Sequence, residues 1–149
     1  MDLKIIGVGG YSEVGKNMTA VKVGDEYVIL DCGFHLPSLV EFSARGGERK
    51  NLTAKGLQKL GAIPDDTILD SFRDKVKAIV PSHCHLDHVG AIPYLEKNYN
   101  AKIIGTPYTL EVLKTLAKDE DINFKNELFP TKAGTSVQVS KNIRIELIP

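Results

Sequence analysis

The stretch His83-Cys84-His85-Leu86-Asp87-His88 decides how this sequence folds and what it can do. It has the pattern H-x-H-x-D-H and contains three of the four histidines in the 149-residue chain. The apolar segment 76–81 before it is typical of a short β-strand, and segment 89–95 after it indicates the start of a helix. We therefore expect four potential metal ligands on one strand-to-helix loop.

The spacing of the motif predicts two neighbouring groups of ligands. If the loop begins extended, His83 and His85 point to one side and Cys84 points to the other. Asp87 and His88 lie where the backbone turns into the helix, so they can point elsewhere. Imidazole and carboxylate suit zinc, and also manganese or iron. Two ions about 3.5–4 Å apart could stabilise charge on a phosphoryl or acyl oxygen, whereas the alternative interpretation is a polar loop with surface histidines.

Three segments carry a resemblance to a known family. The motif at 83–88 matches the signature of the metallo-beta-lactamase superfamily, and the longer run S-H-C-H-L-D-H-V-G-A-I-P-Y-L at 82–95 resembles its RNA-processing branch, the beta-CASP nucleases. The segments G-G-Y-S-E-V-G-K-N-M at 9–18 and V-I-L-D-C-G at 28–33 are similar to the ribonuclease J family, particularly its archaeal form. The similarity extends from the first residues to the last.

The order of elements predicts an α/β fold in which helices cover one face of a mixed sheet. The resemblance implies half of an αββα sandwich, because metallo-beta-lactamase proteins combine two such halves. Residues 1–149 resemble the N-terminal part of that domain. The C-terminal half with its further metal histidine and bridging aspartate, and the inserted beta-CASP domain, are expected in a longer polypeptide or a partner.

The resemblance implies a metal-dependent ribonuclease that trims single-stranded, 5′-monophosphorylated RNA from its 5′ end, with internal cleavage left open. The implied metal ligands are His83, His85, Asp87 and His88, and Asp87 and His88 are also expected to be catalytic. Zinc is the expected metal, with two ions per complete site, and manganese is an alternative. A water or hydroxide between the ions would attack phosphorus and leave a 3′-hydroxyl. The full-length protein is expected to be a homodimer, and this chain alone to be inactive.

Two other functions remain open at this stage. Another metallo-beta-lactamase hydrolase could act on a thioester or a lactam. The chain could also be a non-catalytic module for metal binding or assembly. Nuclease activity on 5′-monophosphorylated RNA, measured with and without chelator, would distinguish these alternatives.

Asp31, at the end of the predicted strand 26–30, has two interpretations. Its carboxylate could bind nearby backbone in a turn, or it could orient the histidine loop from behind the metal ligands. The resemblance favours the orienting role, because metallo-beta-lactamase proteins carry an aspartate at this strand end. His35 belongs to no ligand pattern, and with Pro37 it is expected in a loop that packs in or lines the cleft.

The segment Gly10–Lys16 reads G-x-x-x-x-G-K and is one residue short of a phosphate-binding loop. Asn17 stands where such a loop needs Ser or Thr. The next residues, 17–23, are rich in β-branched side chains and precede a turn at Gly24-Asp25, which predicts a strand rather than the helix that a phosphate site requires. We therefore predict that this segment binds no nucleotide.

Composition and charge limit the possible partners. A chain of 149 residues with 42% hydrophobic and 26% charged residues is typical of one soluble domain, and its 19 basic and 19 acidic side chains cancel. No apolar run approaches the ~18 residues of a membrane span, and residues 1–7 lack a secretory signal. Cys32 and Cys84 suggest no disulfide framework, so a cytoplasmic location without membrane contact is expected.

RNA binding would have to be local, because a neutral chain has no global field that attracts a polyanion. A basic-leaning segment could contact phosphates, although such runs more often form a solvated surface. Its residues are Arg45, Arg49, Lys50, Lys55 and Lys59.

The remaining pattern predicts the other elements of the fold. A strand is expected at 2–8, a mobile loop at 43–51, and a helix from Thr53 to Leu60 that Gly61 ends. Segment 67–72 is expected to pack over the metal motif. Further predictions are a strand at 102–105, a helix at 106–118, and strands at 127–130, 135–139 and 143–148, of which the last two form a hairpin.

Overall fold

The computed structural model describes residues 2–149, apart from the side chain of Asn51, and contains two sheets. The strands are β1 (Leu3–Gly9), β2 (Met18–Val23), β3 (Glu26–Leu30), β4 (Val76–Val80), β5 (Lys102–Gly105), β6 (Leu128–Pro130), β7 (Ser136–Gln138) and β8 (Arg144–Glu146). The α-helices are α1 (Leu36–Ala44), α2 (Ala54–Lys59), α3 (Leu86–Val89), α4 (Ile92–Leu95) and α5 (Pro107–Asp119). Short 3₁₀ helices cover Arg49–Asn51, Asp66–Lys75 and Glu96–Asn98.

The main sheet has six strands in the order β1-β2-β3-β4-β5-β6. The pairs β1–β2 and β2–β3 are antiparallel, whereas β3–β4, β4–β5 and β5–β6 are parallel. β7 and β8 form a separate antiparallel hairpin. The sheet is therefore mixed, as predicted.

The two faces of the sheet are covered differently, because side chains alternate along each strand. Ile79 and Ile103 belong to a core that also contains residues of α4 and α5. Ala78 and Val80 face the other way and pack in a smaller core with residues of the β7–β8 hairpin. Each fully buried aliphatic side chain contributes about 1.5–3 kcal/mol. Helices on one face of a mixed sheet confirm the predicted α/β architecture.

An apolar strip remains exposed on the hairpin side of the sheet. Leu3 and Ile5 are each 66% exposed, and Leu30 is 41% exposed. The strand register places Ile5 in line with Val28, and Leu30 beside Val80, which belong to the smaller core. The hairpin thus covers the β4 side of this face and leaves the β1 side uncovered.

The parallel strands bring three loops to one edge of the sheet. Asp31 follows β3, the histidine motif follows β4, and Thr106 follows β5. Because carboxyl ends of parallel strands meet at the same edge, residues that are distant in sequence become neighbours there. This edge contains the candidate site.

Several predicted elements are confirmed closely. The bounds of β3 and β5 agree with the predicted segments 26–30 and 102–105, and α5 covers 107–119 where 106–118 was expected. Thr53 caps α2 by accepting a hydrogen bond from the backbone N–H of Gly56 at 3.2 Å. The expected hairpin near the end of the chain is present as β7 and β8.

Two further predictions, the loop around Pro37 and the packing of segment 67–72 over the motif, are wrong. Residues around Pro37 form α1 instead of a loop. Proline is compatible with the first turn of a helix, because the N–H groups of that turn have no partner within the helix and the missing N–H of proline costs no hydrogen bond. Segment 67–72 lies in a 3₁₀ helix that packs Leu69 into the main core and Phe72 on the ring of Tyr27, 5.0 Å away between centroids. Tyr27 is at the opposite end of β3 from Asp31, so this segment does not pack over the motif.

The helix after the motif also starts earlier than predicted and is interrupted. α3 begins at Leu86 rather than Val89, and α4 resumes at Ile92. The backbone N–H of Ala91 donates to the carbonyl of Cys32 at 3.0 Å instead of to α3. The carbonyl of Asp87, which an unbroken helix would bond to Ala91, is thereby left for partners outside the helix.

Candidate metal centre

The histidine motif leaves β4 as an extended loop and then enters α3. His85 is the N-cap residue of α3, with φ −68° and ψ 146°, and its carbonyl accepts the backbone N–H groups of His88 and Val89 at 2.9 and 3.0 Å. Asp87 therefore lies in the first helical turn with His88. The change from extended to helical backbone gives the second pair of ligands a different direction from the first.

The three imidazole rings of the motif lie against one another. The ring centroids of His83 and His85 are 4.5 Å apart, and those of His83 and His88 are 4.1 Å apart. The structure therefore gathers these rings in one cluster at the carboxyl edge of the sheet. Their binding of a metal stays a prediction.

Asp31 holds this cluster from behind. One carboxylate oxygen accepts the backbone N–H of Ser82 at 2.6 Å, and the other accepts the Ser82 hydroxyl at 3.0 Å and His88 Nδ1 at 2.8 Å. These partners are 51 and 57 residues away in sequence, so a local turn does not describe its role. Asp31 itself has φ 60°, a left-handed conformation that Asp and Asn tolerate better than most residues.

The bond to Asp31 determines which nitrogen of His88 can bind a cation. Because a carboxylate only accepts hydrogen bonds, Nδ1 carries the proton and Nε2 keeps its lone pair. Nε2 lies 3.4 Å from the Oδ2 atom of Asp87. Two donors on one tetrahedral zinc ion with bonds of about 2.0–2.1 Å are roughly 3.3–3.4 Å apart. The chemistry and spacing of this pair therefore fit one divalent cation.

The described residues do not complete a ligand set. Within residues 2–149, no group of three or more histidine, cysteine, aspartate and glutamate side chains is arranged to hold a metal ion by itself. His83 Nδ1 lies 2.9 Å from the Ser82 hydroxyl, so its orientation is also fixed by a protein partner. A catalytic zinc normally has three protein ligands, and each pair in the motif offers two.

The segment after Asp31 touches α3 backbone to backbone. The N–H groups of Cys32 and Phe34 donate to the carbonyls of His88 and Leu86 at 2.7 and 2.9 Å. Gly33 lies between them, and a Cβ atom built on it would be 1.6 Å from the carbonyl oxygen of Asp87. Only glycine permits this approach, which fixes α3 against the segment that carries Asp31.

The two cysteines differ in environment. Cys32 is buried and Cys84 is partly exposed, and both are free thiols. Burial, with smaller contributions from the nearby carboxylates of Asp66 and Asp31, raises the pKa of the Cys32 thiol well above its usual value. Cys32 is therefore a neutral packing residue behind the motif.

The glycine-rich segment Gly10–Lys16 leads into β2, so it does not open a helix as a phosphate-binding loop does. The predicted strand is confirmed, and a strand after the glycine-rich segment argues against nucleotide binding there. Asn17, the residue after this segment, instead contacts the backbone and side chain of Asp87 at 3.0 and 3.4 Å. Sequence reasoning missed this contact, because 70 residues separate the two positions.

His35 contacts Ser38 and Ala62 and does not join the histidine cluster. Its Nδ1 atom lies 2.7 Å from the hydroxyl of Ser38, and its backbone N–H donates to Ala62 at 2.8 Å. It is the N-cap residue of α1. These contacts agree with the expected packing role.

The most prominent arginines of the basic-leaning segment have protein partners. Arg45 pairs with the exposed Glu41 at 2.5 Å. Arg49 pairs with Glu120, whose side chain is only 5% exposed, and its guanidinium lies 5.7 Å from the ring centroid of Phe34. Arg49 thus ties the loop after α1 to the end of α5, and both arginines of this segment are paired with carboxylates of the same chain.

Among residues 2–149, no helix has the length and apolar character that a membrane crossing requires.

Comparisons with known proteins show which proteins this chain is similar to. Residues 11–144 match the metallo-beta-lactamase superfamily. The chain is 44% identical over 149 residues to ribonuclease J of Methanocaldococcus jannaschii, covering 99% of this chain and 33% of that protein. Ribonuclease J of Pyrococcus abyssi is 44% identical over 148 residues, covering 98% and 32%. The chain thus spans about a third of the length of these relatives.

Solved structures resemble the chain at the level of the fold. A protein of unknown function from Enterococcus faecalis has a TM-score of 0.62 at 18% identity and covers 95% of this chain and 36% of its own. The subclass B3 metallo-beta-lactamase BJP-1 of Bradyrhizobium japonicum has a TM-score of 0.50 at 19% identity and covers 92% and 46%.

Proposed function

Because this chain belongs to the metallo-beta-lactamase superfamily, we propose that it forms the metal-binding part of a ribonuclease of the ribonuclease J type. The observation that carries the proposal is the arrangement around His88. Asp31 holds its Nδ1 atom at 2.8 Å, while its Nε2 atom lies 3.4 Å from the carboxylate of Asp87. The 44% identity to two ribonuclease J proteins directs this centre towards RNA.

The proposed ligands form two pairs, His83 with His85 and Asp87 with His88. Proteins of this superfamily are metal-dependent and usually use zinc, so we assign two Zn²⁺ ions to the complete site, with Mn²⁺ as an alternative. A divalent cation there would act as a Lewis acid on a phosphoryl oxygen and lower the pKa of water. Each pair needs a third protein ligand, which we assign to sequence outside this chain.

The chain's own residues would orient the reaction. Asp31 keeps the proton of His88 on Nδ1 and directs Nε2 towards Asp87. We assign Asp87 and His88 to catalysis as well as to metal binding, because their donor atoms lie 3.4 Å apart. Hydrolysis would break the bond from phosphorus to the 3′ oxygen, leaving a 3′-hydroxyl on one RNA piece and a 5′-phosphate on the next.

The proposed substrate is single-stranded, 5′-monophosphorylated RNA, trimmed from the 5′ end, with internal cleavage as a second mode. The chain has equal numbers of basic and acidic residues, and Arg45 and Arg49 are engaged in ion pairs. We therefore assign most of the RNA-binding residues to the rest of a longer protein. We propose a cytoplasmic location and a homodimer for that protein.

The domain proposal follows from the uncovered sheet face. Residues 1–149 would be the N-terminal part of a metallo-beta-lactamase domain, with the C-terminal half and the beta-CASP domain outside this chain. Burial of Leu3, Ile5 and Leu30, now 66%, 66% and 41% exposed, against the second half would complete an αββα sandwich. The apolar strip then has the role of an internal interface.

The test of the function compares three purified proteins. These are the 149-residue chain, a polypeptide extended to the length of the ribonuclease J relatives, and the extended form with His85→Ala. Hydrolysis of 5′-monophosphorylated RNA is measured with added zinc or manganese, and again with chelator. We expect activity only from the extended unaltered form, and loss of that activity with chelator.

Full-strength, chelator-sensitive activity from the short chain would contradict the argument that its ligand pairs are incomplete. An inactive extended form would contradict the ribonuclease proposal. If that inactive form still bound zinc, the result would favour a non-catalytic metal-binding module, the function that the incomplete ligand set within residues 2–149 also permits.

A further inference from the structure

Asn17 contacts both members of one proposed ligand pair. Its side-chain nitrogen lies 3.0 Å from the carbonyl oxygen of Asp87 and 3.4 Å from the Asp87 atom Oδ2. The same nitrogen lies 3.4 Å from His88 Nε2. The two atoms that would bind one cation therefore share a single amide donor.

The backbone fixes the position from which this side chain points. The N–H of Asn17 donates to the Asp87 carbonyl at 3.2 Å, and its own carbonyl accepts the N–H of Gly33 at 3.1 Å. A Cβ atom on Gly10, which has φ 83°, would lie 2.6 Å from the Asn17 side-chain oxygen. Hydrogen bonds and close packing thus leave the amide little freedom.

The interruption after α3 makes these contacts possible. In a continuous helix, the Asp87 carbonyl would accept the N–H of Ala91. Here the N–H of Ala91 donates to the carbonyl of Cys32 at 3.0 Å. The Asp87 carbonyl instead accepts hydrogen bonds from the backbone N–H and the side-chain amide of Asn17. Asn17 thereby takes the place of a helical partner and fixes the rotation of the first turn of α3.

We propose that Asn17 is a positioning residue for a divalent cation bound by Asp87 and His88. This inference rests on the metal centre proposed above and concerns how its ligands are held. The bond at 3.0 Å is to a backbone oxygen that takes no part in the ligand pair, so it persists when a cation binds. The contacts at 3.4 Å are long for hydrogen bonds, so giving them up to a cation costs little.

The Asn17 amide therefore strengthens cation binding by holding the ligands more than it weakens binding by competing with the cation for them. Loss of a residue that holds a metal ligand typically weakens metal binding by about 10–100-fold. The glycine-rich segment before Asn17 thereby has a structural role that does not involve phosphate binding. Its glycines allow the chain to turn sharply and place Asn17 against α3.

The experiment measures the zinc affinity of a polypeptide extended to the length of the ribonuclease J relatives, in which the ligand pairs are proposed to be complete, by competition with a chromophoric chelator. The variants are Asn17→Ala and the milder Asn17→Ser, whose side chain is too short to reach Asp87. The matched control is Asn126→Ala. The Asn126 side chain also donates to two backbone carbonyls, those of Glu96 and Tyr99 at 2.7 and 2.9 Å. It precedes β6, at the opposite end of the parallel strands from the histidine motif.

We expect both Asn17 variants to lose about 10–100-fold in zinc affinity, and the Co²⁺ absorption spectrum to change with them. Asn126→Ala should keep the affinity and spectrum of the unaltered polypeptide, even where its thermal unfolding midpoint falls. Thermal unfolding without metal identifies any variant that has lost its fold, and Asn17→Ser then decides the result.

Equal zinc affinity in the unaltered polypeptide and a folded Asn17 variant would overturn the inference and leave the ribonuclease proposal intact. An equal loss in Asn126→Ala would also overturn it, because a general structural effect would then explain the change. If the unaltered polypeptide bound zinc no better than a His88→Ala variant, the proposed metal site of Asp87 and His88 would itself be contradicted, and the role of Asn17 with it.

Discussion

Replacement of Asp31 by asparagine tests how the candidate metal centre is held together. Asn has nearly the same shape and tolerates the left-handed backbone of this position, where φ is 60°. The change therefore adds little backbone strain. It does replace an oxygen that accepts the proton of His88 Nδ1 at 2.8 Å with either an amide nitrogen or a weaker neutral acceptor.

The expected result is a change in the His88 tautomer. If the amide NH₂ faces the ring, Nδ1 must become the acceptor and the proton moves to Nε2, which then has no lone pair for a cation. The other amide orientation would place a donor against the N–H of Ser82, which bonds the carboxylate at 2.6 Å. The first arrangement keeps the Ser82 bond, so we expect it to prevail.

The expected loss of zinc affinity follows from the loss of the correct orientation of one ligand, His88. Zinc affinity should fall by about 10–100-fold, which corresponds to about 1.4–2.7 kcal/mol. Asp31→Ala serves as a comparison, because it should lower the free energy of unfolding by about 2–4 kcal/mol through unpaired polar groups and a strained left-handed alanine. Asp31→Asn should lose much less stability than Asp31→Ala.

Two assays check these expectations. Long-range ¹H–¹⁵N NMR of the metal-free chain reports which ring nitrogen of His88 carries the proton, and chelator competition reports the zinc affinity of the extended polypeptide. The reasoning is refuted if His88 carries its proton on Nε2 in the unaltered chain, or if the extended polypeptide with Asp31→Asn binds zinc as tightly as the unaltered one.

Three further predictions concern the surroundings of the site. Gly33→Ala should lower the free energy of unfolding by at least about 1–3 kcal/mol in urea denaturation, because its Cβ would lie 1.6 Å from the Asp87 carbonyl; unchanged stability would contradict the close packing. Arg49→Ala should lower the free energy of unfolding by about 1–3 kcal/mol in urea denaturation, because its partner carboxylate is 5% exposed. Arg45→Ala should lower it by less than about 0.5 kcal/mol, and equal losses in the two variants would contradict this ranking. Calorimetry should detect no saturable ATP binding to the chain, and binding that Lys16→Ala abolishes would contradict the strand context.

Local patterns predicted the elements whose residues interact mainly with their own sequence neighbours. The apolar run of β4, the Thr53 cap of α2 and the proline at the start of α5 each have a local physical cause, and all three are present. The hexapeptide 83–88 indicated a strand-to-helix loop for the same reason. Pro37 misled the prediction, since proline suits both a loop and the first turn of a helix.

The contacts that shape the site could not be predicted from sequence patterns. Asn17 meets Asp87 across 70 residues, and Asp31 meets His88 across 57. These contacts depend on strand order, register and the break between α3 and α4, which packing of the whole chain determines. The Asp31 role was expected through family resemblance, whereas no such guide indicated Asn17.

The most direct test of the central claim is to locate the metal itself. Crystals of the polypeptide extended to the length of its relatives are loaded with zinc, and anomalous diffraction is recorded on both sides of the zinc absorption edge. The account predicts two peaks about 3.5–4 Å apart, one bound by His83 and His85 and the other by Asp87 and His88 at about 2.0–2.2 Å. Zinc bound elsewhere, or no peak beside these four side chains, would contradict the claim that the motif is a metal centre.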